Sequence, residues 1–187
     1  MVKSYPTDLL IAPPNIPDKR FHNSVLMLTH HNDHGSFALC VNRETAYTLQ
    51  DLIERTDLGL ECGLNFPLYW GGPVSSSTIW MLHSAEWQLR DHTVPLTSEW
   101  SMTSNLDMFY HFADQDYPQH FRIMCGYCSW DRDQLSRELA GKAPWRPEHA
   151  WLVAQNMGPE WLFEQPVDEL WSNATTLSSH QAVDSWL

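Results

Sequence analysis

The sequence predicts an α+β fold: a single domain with a mixed, mostly antiparallel sheet, a central β-hairpin and several short flanking helices. The 187-residue chain has the length of one domain with a sizeable core. No internal repeat or linker interrupts it, so residues 1–187 are predicted to form that domain. Strand-like and helix-like segments alternate irregularly and open with a hairpin, which favours α+β over a strict βαβ repeat.

The first elements form the centre of the predicted sheet. DLLIA (8–12) reads as a strand that ends at the proline-rich segment 13–17, because proline cannot donate to a strand ladder. SVLMLTH (24–30) and SFALCVN (36–42) flank HNDHG, a turn by composition, and are predicted to pair as a hairpin. Both runs are apolar at successive positions, so both of their faces are expected to be buried.

The remaining elements follow in order along the chain. A helix is predicted to start at Thr48, with Asp51 completing a capping box. Ser104 and Asp107 suggest a second capping pair for the helix 104–113. Further strands are predicted at 66–70, 78–84, 121–128 and 150–154, and further helices at 131–141 (with Asp131 as N-cap), 159–163 and 167–174.

Composition bounds the partners that the chain can bind. The formal net charge is −12, from 11 Lys and Arg against 23 Asp and Glu, and no basic run is present. Because direct nucleic-acid binding needs clustered cations that neutralise phosphates, it is not expected. No apolar run approaches the length of a membrane helix, and no signal peptide is visible, so a cytoplasmic protein with reduced thiols is expected.

Cys125 and Cys128 form a Cys-x-x-Cys that could be a redox pair, half of a zinc site, or two small residues in a strand. A redox thiol usually faces a helix N-terminus, whereas here the predicted Asp131 cap occupies that end. No second Cys-x-x-Cys or His-x₃-His follows to complete a zinc site. Both cysteines are therefore predicted to be buried, unbridged strand residues, and no cofactor or metal is expected.

Two further polar stretches have structural interpretations. His30, His31 and His34 cluster near a turn, but adjacent strand residues diverge, so at most two of them could reach one ion. A solvated hairpin tip is the preferred interpretation. Gly71-Gly72-Pro73 and the serines after it could cradle an anion, yet they lack the lysine of a phosphate loop. A tight turn that needs positive φ is favoured there.

Six blocks, in order, resemble the YqgE/AlgH family of small bacterial proteins. They are LLIAPPNIPDKRFHNSVLMLTHH, HNDHGSFALCVNR, WGGPVSSSTIWMLH, GYCSWDRDQLSREL, AWLVA, and PEWLF with ELW. The chain departs from the family pattern at Ala38, Glu44, Ser129 and residues 131–133. The resemblance implies the family's fold and a regulatory role, because a transcriptional function has been suggested for such proteins.

The polar residues on these blocks supply the candidate site. His31, Asn42, Arg43, His83 and Gln134 are polar residues on the family motifs, and loops at strand ends are where sites are held. If strands 36–42 and 66–70 are parallel neighbours, their loops emerge at one edge. Asn42, Arg43, Gly71, Gly72 and His83 would then border one shallow pocket, with Gln134 beside it. The alternative is that each residue stabilises its own turn.

Two functions remain open from the sequence. One is a non-catalytic binding or regulatory protein that contacts a protein or a small ligand through this pocket. The other is a small hydrolase or thiol enzyme that uses His31, His83 or the Cys125/Cys128 pair. The binding protein is preferred because the sequence displays no nucleophile–base pair.

Overall fold

The computed structural model describes residues 6–56, 58–60, 63 and 65–184. Cys62 lies outside the described residues. Within them, ten strands form one curled, mixed sheet, and five α-helices pack against it. None of the described helices is long and apolar enough to cross a bilayer. The predicted α+β class, with a mixed and mostly antiparallel sheet, is confirmed.

The elements have the following bounds. The strands are β1 (Leu9–Ile11), β2 (Val25–Asn32), β3 (Gly35–Cys40), β4 (Glu44–Thr48), β5 (Pro67–Trp70), β6 (Val74–Ser84), β7 (Thr93–Pro95), β8 (Trp100–Thr103), β9 (Phe121–Asp131) and β10 (Leu152–Ala154). The helices are α1 (Leu49–Glu54), α2 (Met108–Ala113), α3 (Gln134–Leu139), α4 (Pro159–Glu164) and α5 (Leu170–Asp184).

Strand β9 organises the sheet. Eight strands follow the order β10-β1-β2-β3-β9-β6-β8-β7, and the other two lie off this path, with β4 paired to β5 and β5 paired to β9. The C-terminal part of β9 pairs with β3, and its N-terminal part pairs with β5 on the same flank, while β6 lies on the other flank. The β5–β9 pairing is parallel and the others are antiparallel. Strands β3 and β5 therefore run toward each other and meet end to end beside β9.

The central hairpin is buried on both faces, as predicted. Leu9, Met27 and Leu39 face one core together with residues of α4 and α5. Leu26 and Leu28, their strand neighbours, face a second core closed by α3. A third core lies between the sheet and helices α1 and α2. Burial on both sides explains why these strands lack polar alternation.

Three helix boundaries differ from the prediction, whereas the Thr48–Asp51 capping box is present as expected. Helix α2 begins at Met108 because the Ser104 hydroxyl donates to the Ile79 carbonyl instead of capping a helix. Helix α3 begins at Gln134, not near Asp131, because Asp131 is still paired in β9. Helix α5 continues well past residue 174, to Asp184. Strands β4, β7 and β8 were not predicted from the sequence pattern.

Candidate functional site

Asn42 and Arg43 both hold the loop that precedes β2. The Asn42 side chain accepts a hydrogen bond from the Val25 N–H at 2.7 Å and donates to the Asn23 carbonyl at 2.8 Å. Arg43 donates to two carbonyls of the same loop, those of Arg20 and His22, at 3.0 and 3.2 Å. Asn42 is buried, and the Arg43 guanidinium lies 5.6 Å from the Trp70 ring centroid.

The structure brings the Asn42/Arg43 loop and the Gly71/Gly72 loop together. The Gly71 carbonyl accepts from the Cys40 N–H, and the Arg43 carbonyl accepts from the Trp70 N–H, each at 2.8 Å. The strands that carry the loops are not parallel neighbours, as the prediction supposed. The loops meet because β3 and β5 approach each other from opposite ends.

The glycines at this junction are required by close backbone packing. Gly72 has φ +156° and Gly126 has φ +76°. A Cβ added at Gly72 would overlap the Tyr127 carbonyl group, and one added at Gly126 would overlap the Gly72 carbonyl oxygen. Gly71 and Gly72 are themselves buried. The tight turn expected from the sequence is therefore a backbone crossing over β9, where a side chain has no room.

His83 lies apart from this junction, inside the sheet. It is 0% exposed and pairs with Phe121, at the opposite end of β9 from Tyr127. Its Nδ1–H donates to the Ser84 carbonyl at 2.8 Å, so the neutral Nε2 accepts from the Thr103 hydroxyl at 2.9 Å. Burial lowers the pKa of His83, which keeps the ring neutral. His83 thus satisfies a buried hydrogen-bond chain and does not border a surface pocket.

Gln134 connects α3 to β9. Its amide oxygen accepts from the Asp131 N–H at 3.1 Å, and its amide nitrogen donates to Glu138 at 2.9 Å. Glu138 is only 2% exposed, and its other oxygen accepts from the indole N–H groups of Trp130 and Trp151 at 2.9 and 2.8 Å. This carboxylate is a buried structural acceptor that fixes two tryptophans and the first turn of α3.

The histidines of the hairpin bond locally, in the solvated tip that the sequence predicted. His31 Nδ1 bonds the Ser36 hydroxyl and His30 Nε2 bonds the Asn32 amide, each at 2.7 Å. The turn is two residues long, because β2 ends at Asn32 and β3 begins at Gly35. Among the described residues, no group of three or more His, Cys, Asp or Glu side chains could hold a metal ion.

Cys125 and Cys128 are free thiols within β9, as predicted, but only Cys128 is fully buried; Cys125 is half-buried. Burial raises the pKa of both thiols. The Cys128 sulfur contacts the Gly71 carbonyl at 3.5 Å. Thiols with raised pKa values are poor nucleophiles at neutral pH, which argues against a redox pair.

The most unusual charge in the described structure lies elsewhere, at Arg122 of β9. Its side chain is only 4% exposed. The guanidinium carbon lies 5.0 Å from the Tyr69 ring centroid and 5.3 Å from that of Phe163. The guanidinium donates to the Val41 carbonyl and, at 3.4 Å, to the Leu162 carbonyl. It therefore bridges the chain after β3, the sheet and helix α4.

No carboxylate within the described residues forms an ion pair with Arg122. Burial lowers the pKa of Arg122, while Tyr69 and Glu44 act in the opposite direction. The Tyr69 hydroxyl donates to Glu44 Oε1 at 3.0 Å, and burial is the main cause that raises the pKa of Tyr69 to about 12. Tyr69 thus stands between the buried cation and an exposed carboxylate.

Arg122 lines a cleft of about 360 Å³, which we term the Arg122 cleft. The described residues around it comprise aromatic rings, two amides and apolar groups, with no acidic side chain. They are Phe66, Pro67, Tyr69, Gln119, His120, Phe121, Arg122, Ile123, Phe163, Gln165, Pro166 and Val167. A cleft of this size holds a small molecule.

Sequence reasoning did not select Arg122, although a signal was present. FRIMCGYC is apolar apart from this one arginine, and a charge inside a buried strand is costly unless it has a partner or a ligand. Its surroundings come from segments far apart in the chain, namely β5 and α4. They could not be assembled from the sequence pattern alone.

A family model described as AlgH-like (DUF179) matches residues 9–182. The chain belongs to the AlgH-like family. A UPF0301 protein of Novosphingobium aromaticivorans is 32% identical to it over 169 residues, which cover 89% of this chain and 85% of that protein. A UPF0301 protein of Mannheimia succiniciproducens is 28% identical over 176 residues, covering 92% of this chain and 91% of that one. The predicted family membership is confirmed.

Solved structures agree with the AlgH-like fold. The solution structure of the AlgH protein from Pseudomonas aeruginosa matches with a TM-score of 0.75 and 29% identity, covering 95% of this chain and 92% of that one. A crystal structure of a Corynebacterium diphtheriae protein matches with a TM-score of 0.68 at 17% identity, over 92% and 86% of the two chains, and supports the fold alone. Every residue that lines the Arg122 cleft falls within the span matched to the family.

Proposed function

We propose that this AlgH-like protein is a non-catalytic binding protein whose Arg122 cleft holds a small anionic ligand. One observation carries the proposal: an arginine that is only 4% exposed lines a cleft and forms no ion pair within the described residues. Removing a charge from water without an opposite charge costs several kcal/mol. An anionic ligand would supply the missing charge.

The chemistry of arginine favours a carboxylate or a phosphate group as that anion. A guanidinium carries five N–H donors in a planar fork, more than the two carbonyls of Val41 and Leu162 accept. The fork matches the two oxygens of a carboxylate or phosphate group. The absence of acidic side chains among the described lining residues removes the main source of repulsion toward such a ligand.

A binding role fits these contacts better than hydrolysis or thiol chemistry. Both ring nitrogens of His83 are engaged inside the sheet. His31 bonds the Ser36 hydroxyl, but no carboxylate among the described residues pairs with its ring to orient it as a base. Burial raises the pKa values of Cys125 and Cys128. A regulatory role would follow if ligand occupancy tightened the hold of Arg122 on α4, whose Leu162 carbonyl it already contacts. Such a regulator would act through protein contacts and not by direct nucleic-acid binding.

The test is calorimetric titration and thermal unfolding of the wild-type protein with inorganic phosphate and with acetate, against sodium chloride at equal ionic strength. Specific binding should raise the melting temperature progressively with ligand concentration, and roughly with its logarithm above the Kd, beyond the chloride effect. Arg122→Met should abolish this shift and Arg122→Lys should weaken it, whereas Arg90→Met, at an exposed arginine, should leave it unchanged.

Two results would reject the proposal. The first is a wild-type response to both anions that equals the response to chloride, which needs no variant to interpret. The second is an unaltered affinity in folded Arg122→Lys protein. Circular dichroism of each variant establishes that it is folded before its affinity is compared.

A further inference from the structure

We infer that the ligand of the Arg122 cleft is an aromatic anion: a carboxylate or phosphate attached to a flat ring. This inference rests on the proposed function, because it takes Arg122 as the group that holds the anion. It adds the chemistry of the rest of the ligand, which the walls of the cleft determine.

Aromatic residues form a large part of the lining of the cleft around Arg122. Five of the described residues that line the cleft carry aromatic rings: Phe66, Tyr69, His120, Phe121 and Phe163. Two of these rings, His120 and Phe163, lie almost parallel, with an interplanar angle of 9° and centroids 6.2 Å apart. Each favourable ring contact contributes about two- to tenfold in affinity beyond apolar burial. A flat ring uses this surface better than a puckered one.

Part of this aromatic wall is held in place before any ligand arrives. Phe163, on α4, lies against the Arg122 guanidinium. Its ring also packs on the buried Trp100, with ring centroids 5.3 Å apart. Phe66 meets Phe121 edge to face at 4.9 Å. Rings that are already ordered lose little freedom on binding, which favours affinity.

The remaining lining groups limit the size and charge of the ligand. The amides of Gln119 and Gln165 are neutral and can bond a ring substituent or the anionic group. A volume of about 360 Å³ is at the small end of ligand sites and suits one or two rings. Arg122 is the one Lys, Arg, Asp or Glu side chain among the described lining residues, so a single anionic group is expected.

Matched probes test the inference in the wild-type protein. Benzoate and cyclohexanecarboxylate carry the same charge and nearly the same volume, but only benzoate is flat. Calorimetry should give an affinity for benzoate that is at least about threefold higher than the affinity for cyclohexanecarboxylate. The affinity for benzoate should exceed that for acetate by a larger factor. Phenyl phosphate against cyclohexyl phosphate repeats the comparison, and phenyl phosphate against benzoate shows which head group is preferred.

Two ring variants locate the effect. His120→Leu and Phe163→Leu should each lower the affinity for benzoate by about two- to tenfold. Only His120→Leu is expected to leave the affinity for acetate within about twofold, because Phe163 also packs on the Arg122 guanidinium. Tyr110→Leu, at an exposed ring outside the cleft, should change neither.

The possible failures are distinguishable. Equal affinities for benzoate and cyclohexanecarboxylate would overturn the aromatic assignment and leave anion binding intact. If none of the anions binds beyond the effect of chloride, both the inference and the proposed function are overturned.

Discussion

The Tyr69 hydroxyl donates to the Glu44 carboxylate over 3.0 Å, joining β5 to the first residue of β4. The ring of the same tyrosine lies beside the buried Arg122 guanidinium. Glu44 is therefore an exposed carboxylate that bonds Tyr69 and whose negative charge favours the charged form of Arg122. An anion bound in the Arg122 cleft would be attracted by Arg122 and repelled by the negative charge of Glu44.

Glu44→Gln should therefore tighten anion binding. The amide keeps an oxygen that can accept from Tyr69 but removes the negative charge, so the affinity for phosphate should rise by about two- to fivefold. Glu54→Gln is the matched control, since Glu54 is an exposed glutamate at the end of α1. An affinity that falls in Glu44→Gln would show that this carboxylate supports the site instead of opposing the ligand.

His83 should make the fold less stable in mild acid. Its pKa in the folded protein is lowered from 6.5, so the unfolded chain binds this proton first. The stability that depends on neutral His83 is fully present above pH 6.5 and is lost as the pH falls below it. The free energy of unfolding changes through His83 by at most about 1.4 kcal/mol per pH unit. Urea unfolding above and below pH 6.5 measures the slope. His83→Gln should flatten it and His34→Gln, at the exposed hairpin turn, should not; equal slopes for His83→Gln and wild type would contradict the argument.

Gly72→Ala should destabilise the protein far more than a glycine replacement in an open loop. The added methyl overlaps the Tyr127 backbone, and the strand cannot move away without breaking its pairing. We expect a loss of about 3 kcal/mol in urea unfolding. Gly59→Ala is the control and should cost about 1 kcal/mol, because Gly59 also has positive φ but has no described neighbour within 4 Å of the added Cβ. Similar losses for the two variants would mean that backbone conformation, and not close packing, explains Gly72.

The thiols should label slowly and in a fixed order. In a Cys62→Ser background, Ellman's reagent at neutral pH should modify half-buried Cys125 first and Cys40 and Cys128 only as the protein unfolds. Burial raises the pKa of Cys40 to about 11 and holds Cys128 well above its usual range, so little thiolate exists at neutral pH. Peptide mapping of the labelled protein gives the order. Rapid labelling of native Cys128 would revive the thiol-enzyme alternative.

Local patterns in the sequence were sufficient for the central strands and for the capping box at Thr48. Uninterrupted apolar runs identify strands buried on both faces, and a capping box depends on residues within one turn. The boundaries of α2 and α3 could not be predicted in this way. Ser104 and Asp131 have the chemistry of N-caps, but tertiary partners take them: the Ile79 carbonyl bonds Ser104, and β3 pairs with Asp131.

The candidate site was harder to predict for a related physical reason. The sequence pattern led us to expect Asn42 and Arg43 beside Gly71 and Gly72. The two loops do meet, but β3 and β5 are not the parallel neighbours that the prediction assumed. Their hydrogen bonds and close packing now account for these residues as parts of the fold. Arg122 acquires its significance from burial against Tyr69 and Phe163, which only the three-dimensional structure supplies.

The position of β9 has a consequence for how the protein is made. This strand begins at residue 121, yet β3, β5 and β6 all pair with it. While the ribosome is still translating the first two-thirds of the chain, the β2–β3 hairpin has no partner on its inner flank and β5 has only β4. Nascent chains should therefore stay protease-sensitive until β9 leaves the exit tunnel, and then gain protection in one step, because contacts distant in sequence form together. Chaperones that shield exposed strand edges would act during that interval.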